Sequence, residues 1–212
     1  MMPARPPDPE PHPLVAPFLR VRAQRERVLL LGAGSGRSLA PLLAAGLTVA
    51  ATEPDAERRA GLAVRFAAAI ADGSLALAAR LPELAGGASY VAALSTHALL
   101  HGTPASIGRT LTELAACLAV QGRLVATIGS RRDPRFGAGR RIDEATFAPE
   151  DGREAGVAHA YFDMRGLMRL FAGWKLVAAE ERSAAESAGA WAHDAAEAAK
   201  IVHWFVTAEK RA

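Results

Sequence analysis

Residues 27–55, RVLLLGAGSGRSLAPLLAAGLTVAATEPD, leave the chain few folds to choose from. The run 28–31 is continuously apolar and ends on glycine, which is how a strand buried on both faces reads. Gly32-Ala33-Gly34-Ser35-Gly36 follows at once, and then Leu39, Leu42 and Leu43 fall on one face of a helix that Gly46 can stop. A second apolar strand over 47–52 ends on Glu53. Strand, glycine turn, helix, strand and terminal acid make the first βαβ unit of a nucleotide-type fold.

The physics of that unit points to a ligand. Glycines serve where the backbone needs positive φ and where a ligand must come closer than a Cβ allows. The following helix is expected to aim unpaired N–H groups at the same spot, and a carboxylate at the neighbouring strand tip can accept both hydroxyls of a ribose. A nucleoside is therefore predicted. A dinucleotide fingerprint wants G-x-G-x-x-G, but here the glycines are 32, 34 and 36, with Arg37 where the last glycine should fall.

With its apolar strand, G-x-G-x-G and acid ending the second strand, the chain resembles the class I S-adenosylmethionine (SAM) dependent methyltransferases. The resemblance implies SAM as cofactor and S-adenosylhomocysteine (SAH) as product. It implies contacts from Gly32, Ala33, Gly34, Gly36 and Arg37 in the turn, and from Glu53 and Pro54 beside it. A glycine turn that only packs helix on sheet is the plainer alternative.

At 212 residues, the chain suits one well-buried domain. Half its residues are hydrophobic and 22% charged, a soluble globular balance, and a net charge of +3 with dispersed arginines does not argue for nucleic acid. One cysteine, Cys117, rules out an internal disulfide and multi-cysteine zinc sites; its leucine neighbours suggest a buried apolar role. The first thirteen residues hold six prolines and no apolar core, so 1–12 are expected to be a flexible lead-in, neither signal peptide nor anchor. Residues 13–212 are expected to form a single domain in the cytoplasm, without membrane association.

Leu14, Val15, Phe18 and Leu19 predict a short helix over 13–24, which either lies over the cofactor, as the resemblance implies, or only covers the sheet edge. After Pro54-Asp55 a helix should carry Leu62, Phe66 and Ile70 on one face and end at Asp72-Gly73, before a third strand over 74–78. Methyltransferases of this kind commonly carry an acid just after that strand to bind the adenine amino group. Here the chain reads AARLP, so backbone near 79–81, with Arg80 and Leu81, is the expected substitute.

A fourth strand over 90–94 leads into STHALLHG. Ligands of open α/β sheets sit beyond the carboxyl ends of the strands, which puts 95–97 at the mouth of the site. STHALLHG is similar to small-molecule methyltransferases, including the tellurite-resistance type. That likeness implies that Ser95 and Thr96 face the cofactor and that His97 and His101 face cofactor or acceptor, although either histidine could simply pack a helix. Thr103-Pro104 caps a helix bearing Ile107, Leu111, Leu114 and Leu118 that Gln121-Gly122 should end, followed by a fifth strand over 124–128.

Residues 130–161 read as a long irregular segment on the ligand side, a lid or substrate wall. It carries Arg131, Arg132, Arg135, Arg140 and Arg141, which either receive an anionic acceptor or are ordinary solvated charge. Its stretch TFAPEDGREAGVAHAYF is similar to the same methyltransferase subgroup. Asp163 should cap a helix with Leu167, Leu170 and Phe171, and strands over 174–181 and 201–208 close the chain, joined by an alanine-rich connection that could hold a helix near Trp191. The whole predicts a Rossmann-like doubly wound α/β sheet of seven strands, mostly parallel, with an antiparallel C-terminal strand.

Transfer from a sulfonium needs alignment and exclusion of water more than acid–base machinery, which agrees with the lack of any visible triad, paired carboxylates or metal-ligand spacing; no metal is expected. His97, His101, His159 and Tyr161 are the candidates for taking a proton from a small-molecule acceptor. The rival readings are a SAM- or nucleotide-binding module without methyl transfer, an NAD-linked reductase, which Arg37 disfavours, and a nucleic-acid methyltransferase, which the 6% aromatic content disfavours. Oligomeric state is not legible.

Overall fold

In the computed structural model, which describes residues 10–85, 89–152, 154–183 and 201–211, β1 (Arg27–Leu31) lies inside one sheet. It pairs in parallel with β2 (Thr48–Thr52) on one side and β4 (Tyr90–Ser95) on the other. Both of its faces are covered. Leu29 and Leu31 enter a core with Leu111, Leu114 and Phe171, while Val28 and Leu30 enter a second core with Leu39, Leu42 and Leu62. Strand alternation distributes the run to two sides, and each buried leucine or valine contributes about 1.5–3 kcal/mol. This is why the pattern is continuous rather than alternating.

The principal sheet runs β3 (Leu75–Ala78), β2, β1, β4, β5 (Leu118–Ser130), β10 (Val202–Lys210), β9 (Trp174–Ser183). β10 is antiparallel to both neighbours and the rest of the order is parallel. That is the expected seven-stranded arrangement. The order reverses between β1 and β4, so the crevice of the sheet opens beyond the paired tips Leu31 and Ser95.

Three further short strands join the same sheet: β6 (Arg140–Arg141), β7 (Thr146–Ala148) and β8 (His159–Phe162). β8 pairs with the last two residues of β5, Gly129 and Ser130, and β7 and β6 follow antiparallel. The expected irregular 130–161 segment is thus a small meander. Strands of two to four residues are too short to show a period, and β7 and β8 are buried at every residue.

Local chemistry accounts for the helices. α1 (Val15–Arg20) is shorter than the expected 13–24. α2 (Leu39–Ala44) buries Leu39 and Leu42. The helix expected to continue through Ile70 breaks at Phe66 into α3 (Ala56–Arg65) and α4 (Ala67–Ala71); Ile70 is exposed, because the alanine-rich α4 buries nothing that would hold the face together. α5 (Pro104–Cys117) begins on Thr103, whose hydroxyl and Ser106 make a capping box. It stops at Cys117, not at Gln121-Gly122. β5 starts at once, with Gln121 at φ 62 inside an irregular pairing with β4. Cys117 is buried, as expected, and burial pushes its thiol up. Asp163 caps α6 (Met164–Leu170) by accepting the Gly166 N–H.

The lead-in was expected to reach residue 12, yet His12 is buried, its Nδ1 accepting the Leu14 N–H at 3.2 Å. The helix considered near Trp191 lies outside the described residues. Among the described residues, no helix is long and apolar enough to cross a membrane.

Candidate functional site

The glycine turn and the acid meet. Gly34 donates its N–H to Glu53 Oε2 at 2.7 Å, and Asp55 donates to Glu53 Oε1 at 3.1 Å. Gly32 and Ala33 donate to the hydroxyl and carbonyl of Thr52, at 3.2 and 2.8 Å, and Gly36 to Ala33 O at 2.8 Å. The expected free N–H groups of the turn are therefore mostly engaged by the tip of β2, and α2 begins only at Leu39 and has six residues. The turn offers a ligand its shape more than its amides.

That shape is specific to each glycine. All three have positive φ. A Cβ on Gly32 would sit 2.8 Å from Ala98 Cβ, and one on Gly36 would sit 2.9 Å from Leu62 and Phe66 side chains. At Gly34 a Cβ would meet nothing within 4 Å. The first and third glycines are needed for packing, whereas the second leaves open space beside Glu53. Pro54 is exposed next to it.

The tip of β4 supplies the opposite wall. Ser95 and Thr96 are buried, and the Thr127 hydroxyl of β5 donates to the Thr96 carbonyl, fixing the segment. Ser95 Oγ is buried with no hydrogen-bond partner among the described residues. Arg37, also buried, places Nη2 3.4 Å from His97 Nδ1. A guanidinium has only donors, so Nδ1 accepts and the ring proton lies on Nε2. His97 also packs near His12 and His203, with ring centroids 5.3 and 6.1 Å away. Burial first, then nearby cationic groups, pushes both His12 and His203 down to about 3.

The meander carries the remaining candidates. His101 and His159 face each other across an isolated antiparallel bridge, and Glu154 lies between their Nε2 atoms, 3.6 and 3.1 Å from them. The two imidazoles hold the Glu154 carboxyl well below the usual carboxylate range. Tyr161 is buried beside Phe136 and Phe147, and burial pushes it up to about 12, so it keeps its proton. Arg131, Arg132 and Arg135 are each paired with an acid, Asp163 at 3.7 Å, Glu181 at 2.9 Å and Asp133 at 2.8 Å, and Arg141 reaches the Asp143 carbonyl.

The third-strand candidates are arranged differently from expectation. Leu81 is buried in the core, Arg80 points outward and pairs with Glu83 at 3.5 Å, and the Ala79 N–H is already taken by Glu83 at 3.1 Å. Glu83 thus occupies one of the backbone donors expected to replace the adenine-binding acid.

Sequence reasoning did not single out His12, His203, Asp133 or Glu154. Asp133 has a fully buried side chain that accepts three Arg135 bonds, one of them from the backbone N–H, and the Val202 N–H at 3.0 Å, joining the end of β5 to the start of β10. Long-range contacts of this kind leave no spacing in a sequence.

A sheet of this order, with a glycine turn against an acid at the β1–β4 crevice, is the Rossmann-like fold of the class I SAM-dependent methyltransferases. No protein-family model and no curated protein sequence matches the chain. Among solved structures it is similar to Burkholderia thailandensis 1,6-didemethyltoxoflavin-N1-methyltransferase with bound 1,6-didemethyltoxoflavin and S-adenosylhomocysteine. The TM-score is 0.65 and the identity 22%, covering 94% of this chain and 77% of that one. TehB from Haemophilus influenzae matches at TM-score 0.60 and 13% identity, over 94% and 62%. The [4+2]-cyclase SpnF matches at TM-score 0.65 and 17% identity, over 93% and 78%.

Proposed function

We propose that this chain is a SAM-dependent methyltransferase acting on a small-molecule acceptor. The observation that carries the reading is the pairing of Gly34 with Glu53 at the crevice, with open space where a Gly34 side chain would be. The residues fit the cofactor. Each Glu53 oxygen accepts one backbone N–H and keeps a second lone pair, enough for two ribose hydroxyls. Ser95 Oγ is a buried polar atom available to a bound group. Gly32, Ala33, Gly34, Gly36, Glu53, Ser95, Thr96 and His97 would line it, with Arg37 behind His97 and Pro54 at the rim. Arg80 and Leu81 are the weaker members of the set, since one points outward and the other into the core.

When bound, SAM supplies a methyl group already activated on a sulfonium. The chain aligns the acceptor with it and keeps water out. Thr127 holds the 95–97 segment through the Thr96 carbonyl, and the β6–β8 meander walls the acceptor side. His97, beside Arg37 just past β4, is placed against cofactor or acceptor. His101 and His159 both turn Nε2 to Glu154, so the three are placed to act on the acceptor as one cluster and not as separate bases; Tyr161, which holds its own proton, serves as a donor. Exposed Arg140 and Arg141 on β6 support an anionic acceptor, and the scarcity of aromatics supports a small molecule over nucleic acid.

Thermal-shift titration with SAM, SAH and NAD tests the cofactor: SAM and SAH should raise the melting temperature and NAD should not. Stabilisation reaches about 2.7 kcal/mol at a hundred-fold excess over Kd. A second reading, SAM binding without methyl transfer, is favoured by the likeness to a structure named as a cyclase. SAH formation with an acceptor library separates the two.

A further inference from the structure

His101, Glu154 and His159 come from separate stretches and bring their nitrogen and carboxylate atoms within 4.8 Å of one another. The backbone holds this arrangement. Beside the His101–His159 bridge, Gly102 donates to Ala158 O at 2.7 Å, and β8 is paired with β5 and β7. Glu154 sits on a turn closed by Val157 N–H to its own carbonyl at 3.0 Å and by Gly156 N–H to Pro149 O at 2.8 Å.

The chemistry at His159 calls for a cation. Its Nδ1 lies 2.8 Å from the Val157 carbonyl, which can only accept, so Nδ1 carries a proton. Its Nε2 then faces an ionised carboxylate, also only an acceptor, at 3.1 Å. Two lone pairs at that distance repel unless something positive lies between them: a second ring proton or a metal ion. A proton on His159 satisfies one contact. His101 Nε2 approaches the other oxygen of the same carboxylate from the segment after β4, and one metal ion satisfies all three groups together.

We propose that His101, Glu154 and His159 form a three-ligand site for a late first-row divalent cation, with Zn2+ the best fit. Two imidazoles and one carboxylate suit zinc and its neighbours, whereas magnesium and calcium want oxygen ligands throughout. Zinc bonds of about 2.0–2.1 Å in a tetrahedron set ligand atoms roughly 3.3–3.4 Å apart. The histidine nitrogens lie 3.1 Å from one Glu154 oxygen and 3.6 Å from the other, and the three ligand atoms lie within 4.8 Å of one another, so the half-exposed His101 and Glu154 side chains would draw in on binding. The Val157 carbonyl already plays the outer partner that fixes the tautomer of a ligating histidine. Three protein ligands leave a position for water or for a heteroatom of a bound small molecule. The ion also ties the meander to the segment after β4, and none of this depends on SAM.

Full-length protein stripped with a chelator and titrated with zinc chloride alone tests the site. Calorimetry, with a chromophoric chelator as competitor, should find one equivalent bound and a raised melting temperature. Glu154→Gln, isosteric and at a half-exposed position, should weaken zinc by at least about 100-fold, since even outer-shell partners are worth about 10–100-fold. His101→Asn, on a different segment, should do the same. Both variants should melt near the wild type without zinc, and excess magnesium should not compete. Absence of stoichiometric zinc would overturn the proposal, leaving a proton on His159 as the cation. Binding that survives both substitutions would also overturn it, by placing the ion elsewhere.

Discussion

The amide of Gly34 and the carboxylate of Glu53, held 2.7 Å apart, join the turn after β1 to the tip of β2 in a single hydrogen bond. Because Glu53 is buried and also binds Asp55, its carboxylate is oriented before any ligand arrives. Replacing it with alanine removes the proposed ribose acceptor and takes this partner from two N–H groups. Bonds to a charged acceptor are worth about 1.5–3 kcal/mol, so calorimetry should find SAH affinity lower by roughly 10–100-fold. Unchanged affinity would remove Glu53 from the site.

The glycines should separate packing from binding. Gly34→Ala carries only the left-handed backbone cost, about 1–2 kcal/mol, and should fold with a melting temperature a few degrees lower while losing SAH binding. Gly36→Ala adds a collision with Leu62 and Phe66 and should lose much more stability. Similar melting curves for the two would remove the packing difference, and full SAH binding by the Gly34 variant would show that the open space at residue 34 is not where the ligand lies.

Two buried histidines make the fold acid-sensitive. His12 and His203 are held down to about 3, against 6.5 for the unfolded chain, by burial and by neighbours that include Arg37, His97 and Arg135, with Asp133 opposing at His203. Between those values the unfolded chain binds more protons than the folded one, so this stability is complete above pH 6.5 and is lost as pH falls towards 3. Well inside the window the slope is about 1.4 kcal/mol per pH unit for each histidine. Urea melts at pH 7, 6 and 5 should show the decline, and His203→Gln should flatten it. A slope identical in wild type and variant would mean that another group titrates.

Asp133 holds Arg135 and the start of β10 to the end of β5 from a fully buried position. Asp133→Ala takes this acceptor from the Val202 N–H and from the Arg135 guanidinium, which is 36% exposed, so the loss should be about 1–3 kcal/mol, below the roughly 3–5 kcal/mol of a fully buried pair. Denaturant titration should register that loss. A loss below 1 kcal/mol would show the pair to be effectively solvated.

Much of the sheet was legible because its signals are local. Residues 28–31 and 47–52 are apolar over a strand's length, and the glycines between them and the acid after them are neighbours in the chain. Thr103 and Asp163 cap the helices they precede, as side chains reaching only a few residues can. Where the signal was weak, the reading slipped: alanines extended one helix through Ile70, leucine and valine extended another past Cys117, and strands of two to four residues passed for loop.

The site divides along the same line. The sequence alone determined that a glycine turn and an acid end adjacent strands, since a βαβ unit brings its own carboxyl ends together. Only the tertiary structure decided which glycine leaves room for a ligand, that Leu81 turns inward, and that His101, Glu154 and His159 converge. Those outcomes depend on which distant segments pack against one another, and long-range packing leaves no periodicity in the residues that make it.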